Sequence, residues 1–228
     1  MSIATAFKRL HYPVDVIAQC VRWYLAYSLS LRNLEEMMAE RGISVDHSTL
    51  HRWILKITPI FNKLVLRYKK PVQQFWHIDE TYIKIKGTWH YLYRAIDSTG
   101  KTVDFLLTQR RDTKAAHRFF KKAISKHACP IRVILDKSGA NKKAIDHFNV
   151  GFTQCKPITI RQNKYLNNRI EQDHRFIKKR VRAMLGFKSF RSAQIILSGI
   201  ELMHMMRKGQ FDFQGSSDSI GSLYQLVR

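Results

Sequence analysis

Three consecutive stretches of the chain decide its fold: residues 75–86 read FWHIDETYIKIK, residues 88–97 read TWHYLYRAID, and residues 101–109 read KTVDFLLTQ. All three are rich in aromatic and β-branched residues, as β-strands are. Lys86-Gly87 separates the first two stretches and Asp97-Ser98-Thr99-Gly100 the second and third, and glycine at such sites supplies a tight turn. The pattern predicts an antiparallel meander of three strands.

Helical and strand patterns alternate after the meander. A helix is predicted from Asp112, followed by the apolar strand IRVILD at 131–136, a helix over 141–148 and a weaker strand near 158–160. A long basic helix is expected from about 165 to 184 and a last helix over 192–208. A strand that follows a helix lies parallel in the same sheet. This order predicts an α/β fold of the ribonuclease-H-like class, with a mixed sheet and helices on both faces.

The front of the chain, residues 14–57, has helical spacing instead. Apolar positions define three helices, Gly42 ends the second, and Asp46 can cap the third. Two helices joined by a glycine-containing turn indicate a helix-turn-helix domain. Four polar residues of the third helix lie outside its apolar stripe and are expected to face DNA bases: His47, Ser48, His51 and Arg52. The alternative is a plain helical bundle with a polar face.

Net charge is the strongest bulk feature. Lys and Arg number 40 against 17 Asp and Glu, a net charge of +23, and such a chain attracts polyanions. The sequence has no apolar run of about 18 residues, so no membrane-spanning helix is predicted. Its first residues lack the apolar core of a signal peptide, so no signal peptide is expected. Nucleic acid is therefore the expected partner. The helix-turn-helix pattern favours double-stranded DNA, and a cytoplasmic, nucleoid-associated location is expected with it. A ribosomal or chromatin-like basic protein is the alternative. Three scattered cysteines are expected to be reduced thiols.

Three acids occupy positions suited to metal binding. Asp79 lies inside the first strand, Asp136 directly follows an apolar strand, and Glu171 lies in a segment dominated by Lys and Arg. A charge that follows an apolar run needs a partner or a metal. Phosphoryl transfer by two divalent cations needs a few carboxylates brought together by the fold. Glu80 is expected to point to the opposite sheet face from Asp79, since strand side chains alternate.

Helical spacing also selects residues around Glu171. Glu171, His174 and Lys178 stand at i, i+3 and i+7 and share one helix face, while Asp173 turns away. A carboxylate and a lysine aligned in this way could hold a metal and a DNA phosphate side by side.

Long blocks of this sequence resemble insertion-sequence transposases of the IS-six family. The blocks are CVRWYLAYSLSLRNLEEMMAERGISVDHSTLHRW, WHIDETYIKIKGTWHYLYRAID, NNRIEQDHRFIKKRVRAMLGFKSF and GIELMHMMRKGQ, spread from about Phe7 to Gln210. The resemblance implies a ribonuclease-H-like core with an Asp-Asp-Glu triad at Asp79, Asp136 and Glu171, Mg²⁺ as cofactor with Mn²⁺ as a substitute, and a catalytic Lys178. The 34 residues between the second acid and the Glu match the family (171 − 136 − 1 = 34).

The resemblance also implies an activity. It predicts binding to terminal inverted repeats, 3′ end cleavage and strand transfer into target DNA by a replicative, cointegrate route, with a homodimer or larger assembly on DNA. Around the second acid, LDKSGANKKAID keeps the family's Asp-Lys pair, but the residues after this pair vary among relatives. The alternatives are an inactive copy that only binds DNA and a general nuclease of the same fold.

Three domains are expected: a helix-turn-helix domain over 1–70, a catalytic domain over 71–190, and a C-terminal helix and tail over 191–228. Besides the recognition helix, basic residues near the acids are expected to contact DNA: Lys137, Arg175, Lys178, Lys179, Arg180 and Arg182.

Overall fold

The computed structural model describes residues 7–8, 10–136, 139–151, 156–162, 167–213 and 218–226. The chain divides into two compact units, one formed by Met1–Lys70 with Ile177–Arg228 and the other by Pro71–Phe176. The second boundary lies inside the long basic helix rather than at residue 190. The reason is that the helix Phe190–Arg207 packs against the helices Val14–Ala26 and His47–Val65, so it belongs to the same unit as they do.

A five-stranded sheet forms the centre of the unit 71–176. Its strands are β1 (Phe75–Ile85), β2 (Thr88–Asp97), β3 (Thr102–Thr108), β4 (Arg132–Leu135) and β5 (Thr159–Gln162). They lie in the order β3-β2-β1-β4-β5. The first three strands pair antiparallel, whereas β4 runs parallel to both β1 and β5. The predicted meander and mixed sheet are confirmed.

Glycine makes the two turns of the meander possible. Gly87 and Gly100 adopt φ values of 80° and 86°, in the left-handed region that glycine enters at little cost. The tight first turn leaves Lys86 at φ 47° as well. These turns bring β1 and β2 into register over nearly their full length, from Trp76 opposite Asp97 to Ile85 opposite Thr88.

Helices cover both faces of the sheet. α4 (Thr113–Lys126) and α5 (Gly139–Gly151) pack on one face, where Trp76 and Ile78 of β1 join a fully apolar core with Phe119 and Phe120. The Asp112 side chain caps α4 by accepting a hydrogen bond from the Ala115 amide. α6 (Asn168–Ala183) begins on the opposite face. This arrangement is that of the predicted ribonuclease-H-like domain.

The other unit is helical. It contains α1 (Val14–Ala26), α2 (Leu31–Ala39), α3 (His47–Val65), α7 (Phe190–Arg207) and α8 (Ser219–Gln225). Gly42 has φ 70° after α2, and Asp46 caps α3 through the amides of Ser48 and Thr49. The turn between α2 and α3 covers residues 40–46, which is longer than the three or four residues of a typical helix-turn-helix.

Some details depart from expectation. A short helix, α8, lies in the segment predicted to be a tail. Cys20 is a buried free thiol, but Cys129 is disulfide-bonded, so the expectation of three reduced thiols was wrong. Among the helices that the structure describes, none is long and apolar enough to cross a membrane.

Candidate active site

The register of two parallel strands places the first two acids side by side. β1 pairs with β4 so that Ile78 lies opposite Leu135. Asp79 follows Ile78 within β1, and Asp136 follows Leu135 directly after the end of β4. Oxygens of these two carboxylates and of Glu80 lie within 4.8 Å of one another. Within the described part of the chain, this is where three acidic side chains come close enough to share a metal ion. The pairing of β1 with β4 therefore creates a carboxylate cluster.

Glu80 reaches the cluster from the other face of the sheet. Its side chain is 3% exposed and lies on the side of α4 and α5, where Asn141 Nδ2 donates to Oε1 at 2.9 Å. The alternation of faces predicted for Asp79 and Glu80 is present, yet the longer Glu80 side chain brings its carboxylate back toward Asp79. Burial raises the pKa of Glu80 to about 7, and the charge of Arg111 opposes that rise.

Arg111 joins two of the acids. Its Nη2 atom lies 3.4 Å from Glu80 Oε2 and 3.6 Å from Asp136 Oδ2. Arg111 immediately precedes Asp112, the cap of α4, so the start of that helix fixes the position of the guanidinium. Arg111 therefore supplies a positive charge between the buried Glu80 and the more exposed Asp136.

Asp79 faces α6 on the opposite side of the sheet. Its Oδ2 atom lies 3.3 Å from Nε2 of the buried His174. Arg94 of β2 is fully buried beside them, with Nη1 3.4 Å from His174 Nδ1 and Nη2 donating to Asp173 Oδ2 at 2.6 Å. Asp173 thus turns toward the sheet to neutralise a buried arginine, and these contacts hold the first turns of α6 against β1 and β2.

Glu171 is exposed on α6 and is not a member of the close carboxylate group. It stands three residues before His174, so the two side chains emerge from the same helix face. His174 contacts Asp79, so Glu171 stands one helical turn before the α6 residue that touches this acid. Its role as third metal ligand stays a prediction.

The predicted recognition residues lie at the start of α3. His47 and Ser48 are exposed in its first turn, where His47 Nδ1 is 3.1 Å from Glu35 Oε2. Arg52 is exposed and donates to Thr49 Oγ1 at 2.8 Å. His51 is half-buried. Burial lowers the pKa of His51, and the charge of Lys188 acts in the same direction.

The other predicted DNA contacts differ in accessibility. Four are exposed on α6: Arg175, Lys178, Lys179 and Arg182. Lys137 lies outside the described residues. Arg180 is buried, and its guanidinium donates to the Ala26 carbonyl oxygen at the end of α1. Burial lowers its pKa to about 10, with Arg207 adding to the effect. The prediction of Arg180 as a DNA contact was wrong, because this side chain satisfies a helix end.

The sequence did not predict three side chains that lie beside Asp79 or Asp136: Glu80, Arg111 and His174. His174 could have been assigned, since its spacing from Glu171 was already evident. Arg111 had no comparable signal, because its role depends on where α4 starts relative to β4, which only the fold determines.

A family model described as a DDE domain matches residues 73–210 of the chain. The transposase for insertion sequence-like element IS431mec of Staphylococcus aureus is 41% identical over 202 residues, covering 89% of this chain and 88% of that protein. The transposase for insertion sequence element IS257 in transposon Tn4003, also of Staphylococcus aureus, matches with the same identity and coverage.

Two solved structures of integrase catalytic cores are distantly similar to the chain. The catalytic core domain of HTLV-2 integrase in complex with magnesium (trimeric form) gives a TM-score of 0.46 at 14% identity, over 70% of this chain and 99% of that one. The BIV integrase core gives 0.42 at 14% identity, over 57% and 83%. These scores are too low to support an inference about this chain.

The family assignment therefore depends on the sequence matches. The DDE domain model spans more than half of the chain, and its range includes Asp79, Asp136 and Glu171. Together with 41% identity over most of both lengths, this shows that the chain belongs to the DDE transposase family of bacterial insertion sequences, in the group called the IS-six family.

Proposed function

We propose that this transposase binds the terminal inverted repeats of its element and catalyses Mg²⁺-dependent 3′ end cleavage and strand transfer into target DNA, by the replicative, cointegrate route. The observation that carries the proposal is the meeting of Asp79 and Asp136 beside the paired strands β1 and β4. Glu171 stands one helical turn before His174, the residue of α6 that contacts Asp79. Carboxylates gathered in this way are suited to phosphoryl transfer.

The residues present fit a hard divalent cation. Mg²⁺ prefers oxygen ligands and keeps several waters, so a few partly exposed carboxylates suffice. The side chains of Asp79 and Asp136 are 18% and 37% exposed, which leaves room for such waters. A bound cation would act as a Lewis acid and stabilise charge on the attacking and leaving oxygens.

Glu171 is a better third ligand than Glu80. The two oxygens of Glu80 already face Asn141 and Arg111, and its side chain is 3% exposed. A Mg²⁺ ion that keeps several waters has little room beside such a buried carboxylate. Glu171 is exposed and stands one helical turn before His174, which contacts Asp79. We therefore assign Asp79, Asp136 and Glu171 as the metal-binding triad and Glu80 as the support of Arg111.

DNA recognition is assigned to two helices. His47, Ser48, His51 and Arg52 at the start of α3 would read the element ends, since base contacts carry sequence information. Exposed cations of α6, Lys178 among them, would hold phosphates near the reacting strand. With a net charge of +23, affinity should fall steeply with salt, at a slope of about 0.9 per phosphate contacted. Because two element ends must be joined, the acting form is proposed to be a dimer or larger.

The test is strand transfer by purified protein on a duplex that carries an element end. We expect cleavage and joining in Mg²⁺ or Mn²⁺ and none in EDTA. Alanine at Asp79, Asp136 or Glu171 should remove both activities while end binding remains. An inactive copy would bind the end but neither cleave nor join it, and a general nuclease would cut without preferring end DNA.

A further inference from the structure

A basic groove separates α4 from α5 on one face of the sheet. Its volume is about 810 Å³, and it opens to solvent between the two helices. Three permanently charged side chains line it, and all three are exposed: Lys114, Arg118 and Lys143. His117 and His147 also line it, with ring centroids 6.2 Å apart, and Asp146 is the acidic residue among the lining groups. The groove therefore carries a net positive charge.

The groove leads away from the carboxylate cluster. Lys114 stands one helical turn after Arg111, which lies beside Asp136. Lys143 stands two residues after Asn141, which donates to Glu80. The N-terminal ends of both helices thus lie beside the acids. A duplex held in this groove would lie along the two helices that begin at the site.

Polar side chains flank the cluster on both faces of the sheet. Asp79 and His174 lie on the α6 side, where Arg175 is exposed, whereas Glu80 and Asn141 lie on the α4–α5 side. Strand transfer joins two different DNA molecules at one set of metals, so the protein needs surfaces that hold both molecules. The exposed cations of α6 can hold one, and the groove can hold the other.

We infer that the α4–α5 groove binds the phosphodiester backbone of target DNA, an inference that rests on the proposed function. The lining offers flexible cations instead of a rigid array of donors and acceptors. Binding of lysine and arginine to phosphate positions a duplex without reading its sequence. Such a surface suits target DNA, whose sequence differs at every insertion, better than the element ends, which are fixed.

The experiment compares two triple variants that remove the same charge. Lys114→Ala/Arg118→Ala/Lys143→Ala changes the groove. Lys86→Ala/Lys121→Ala/Lys156→Ala removes three exposed cations of the same unit that lie outside it. Each protein receives a pre-cleaved end duplex, and the rate of joining is measured against target concentration and salt. End binding is measured separately by titration, and oligomeric state by light scattering.

The groove variant should need roughly tenfold more target DNA to reach the half-maximal rate of joining. When the logarithm of this half-maximal target concentration is plotted against the logarithm of salt concentration, the slope should fall by about 0.9 for each phosphate that is no longer neutralised. Its rate at saturating target and its affinity for end DNA should match the control variant. The inference is overturned if both variants shift the target requirement equally, if the groove variant loses end binding instead, or if it changes only the oligomeric state. Failure of the unaltered protein to join DNA at all would instead count against the proposed function.

Discussion

Replacing Glu80 by Gln should remove a pH-dependent penalty on the stability of the catalytic unit. Burial raises the pKa of Glu80 from 4.5 to about 7, and each pKa unit corresponds to about 1.36 kcal/mol. The folded protein therefore disfavours the ionised form by about 3 kcal/mol. Because the folded-state pKa is the higher one, protonated Glu80 makes the folded protein more stable than ionised Glu80 does. This contribution of the protonated form is complete below pH 4.5 and is lost as the pH rises through about 7.

The measurement is the free energy of opening across this pH range in EDTA, read from hydrogen exchange of the β1 amides so that it refers to the unit containing Glu80. Relative to Glu80→Gln, the unaltered protein should lose about 3 kcal/mol between about pH 4.5 and 8. Glu36→Gln, at an exposed position of α2, is the matched control and should behave like the unaltered protein. Parallel profiles for the unaltered protein and Glu80→Gln would refute the reasoning, since they would mean that Glu80 ionises without cost.

Three further outcomes test other parts of the structure. Arg94→Met should cost about 3–5 kcal/mol in urea unfolding, because it removes the fully buried guanidinium that pairs with the largely buried Asp173; a loss too small to measure would contradict this pairing. Gly199→Ala should destabilise by about 1–3 kcal/mol, since the new Cβ would lie 2.6 Å from Leu25 Cδ1, and an unchanged melting temperature would count against this packing. Arg52→Ala should reduce the preference for end over random duplex by about 1–3 kcal/mol in binding titrations, whereas equal weakening on both duplexes would assign Arg52 to phosphate instead.

Local patterns predicted the elements of the catalytic unit because each has a distinct period and clear ends. The meander follows from alternating aromatic and β-branched residues with Gly87 and Gly100 at its turns. The place of Asp79 inside one strand and of Asp136 directly after another was also evident from the sequence. Their closeness depends on β1 lying beside β4 in the register that the structure shows.

Long-range contacts could not be deduced in the same way. A basic helix predicts exposed cations, but Arg180 is buried because the carbonyl of Ala26 lies within its reach. The alternation of side chains along β1 predicted that Glu80 lies on the opposite face of the sheet from Asp79. It did not predict that the Glu80 side chain is long enough to bring its carboxylate back toward Asp79. Arg111 acts on Asp136 only because of where α4 begins. In each case the decisive partner is distant in sequence, and periodicity carries no information about it.

The identity of the third acid is the central claim, and one comparison tests it most directly. Strand transfer in Mg²⁺ is measured for Glu171→Gln and Glu80→Gln, each of which removes one carboxylate charge and keeps a similar shape. We predict that Glu171→Gln reduces joining to background, because it removes a metal ligand, while Glu80→Gln keeps the rate within about tenfold of the unaltered protein. Loss of joining by Glu80→Gln together with near-normal joining by Glu171→Gln would contradict the assignment and make Asp79, Glu80 and Asp136 the metal-binding triad.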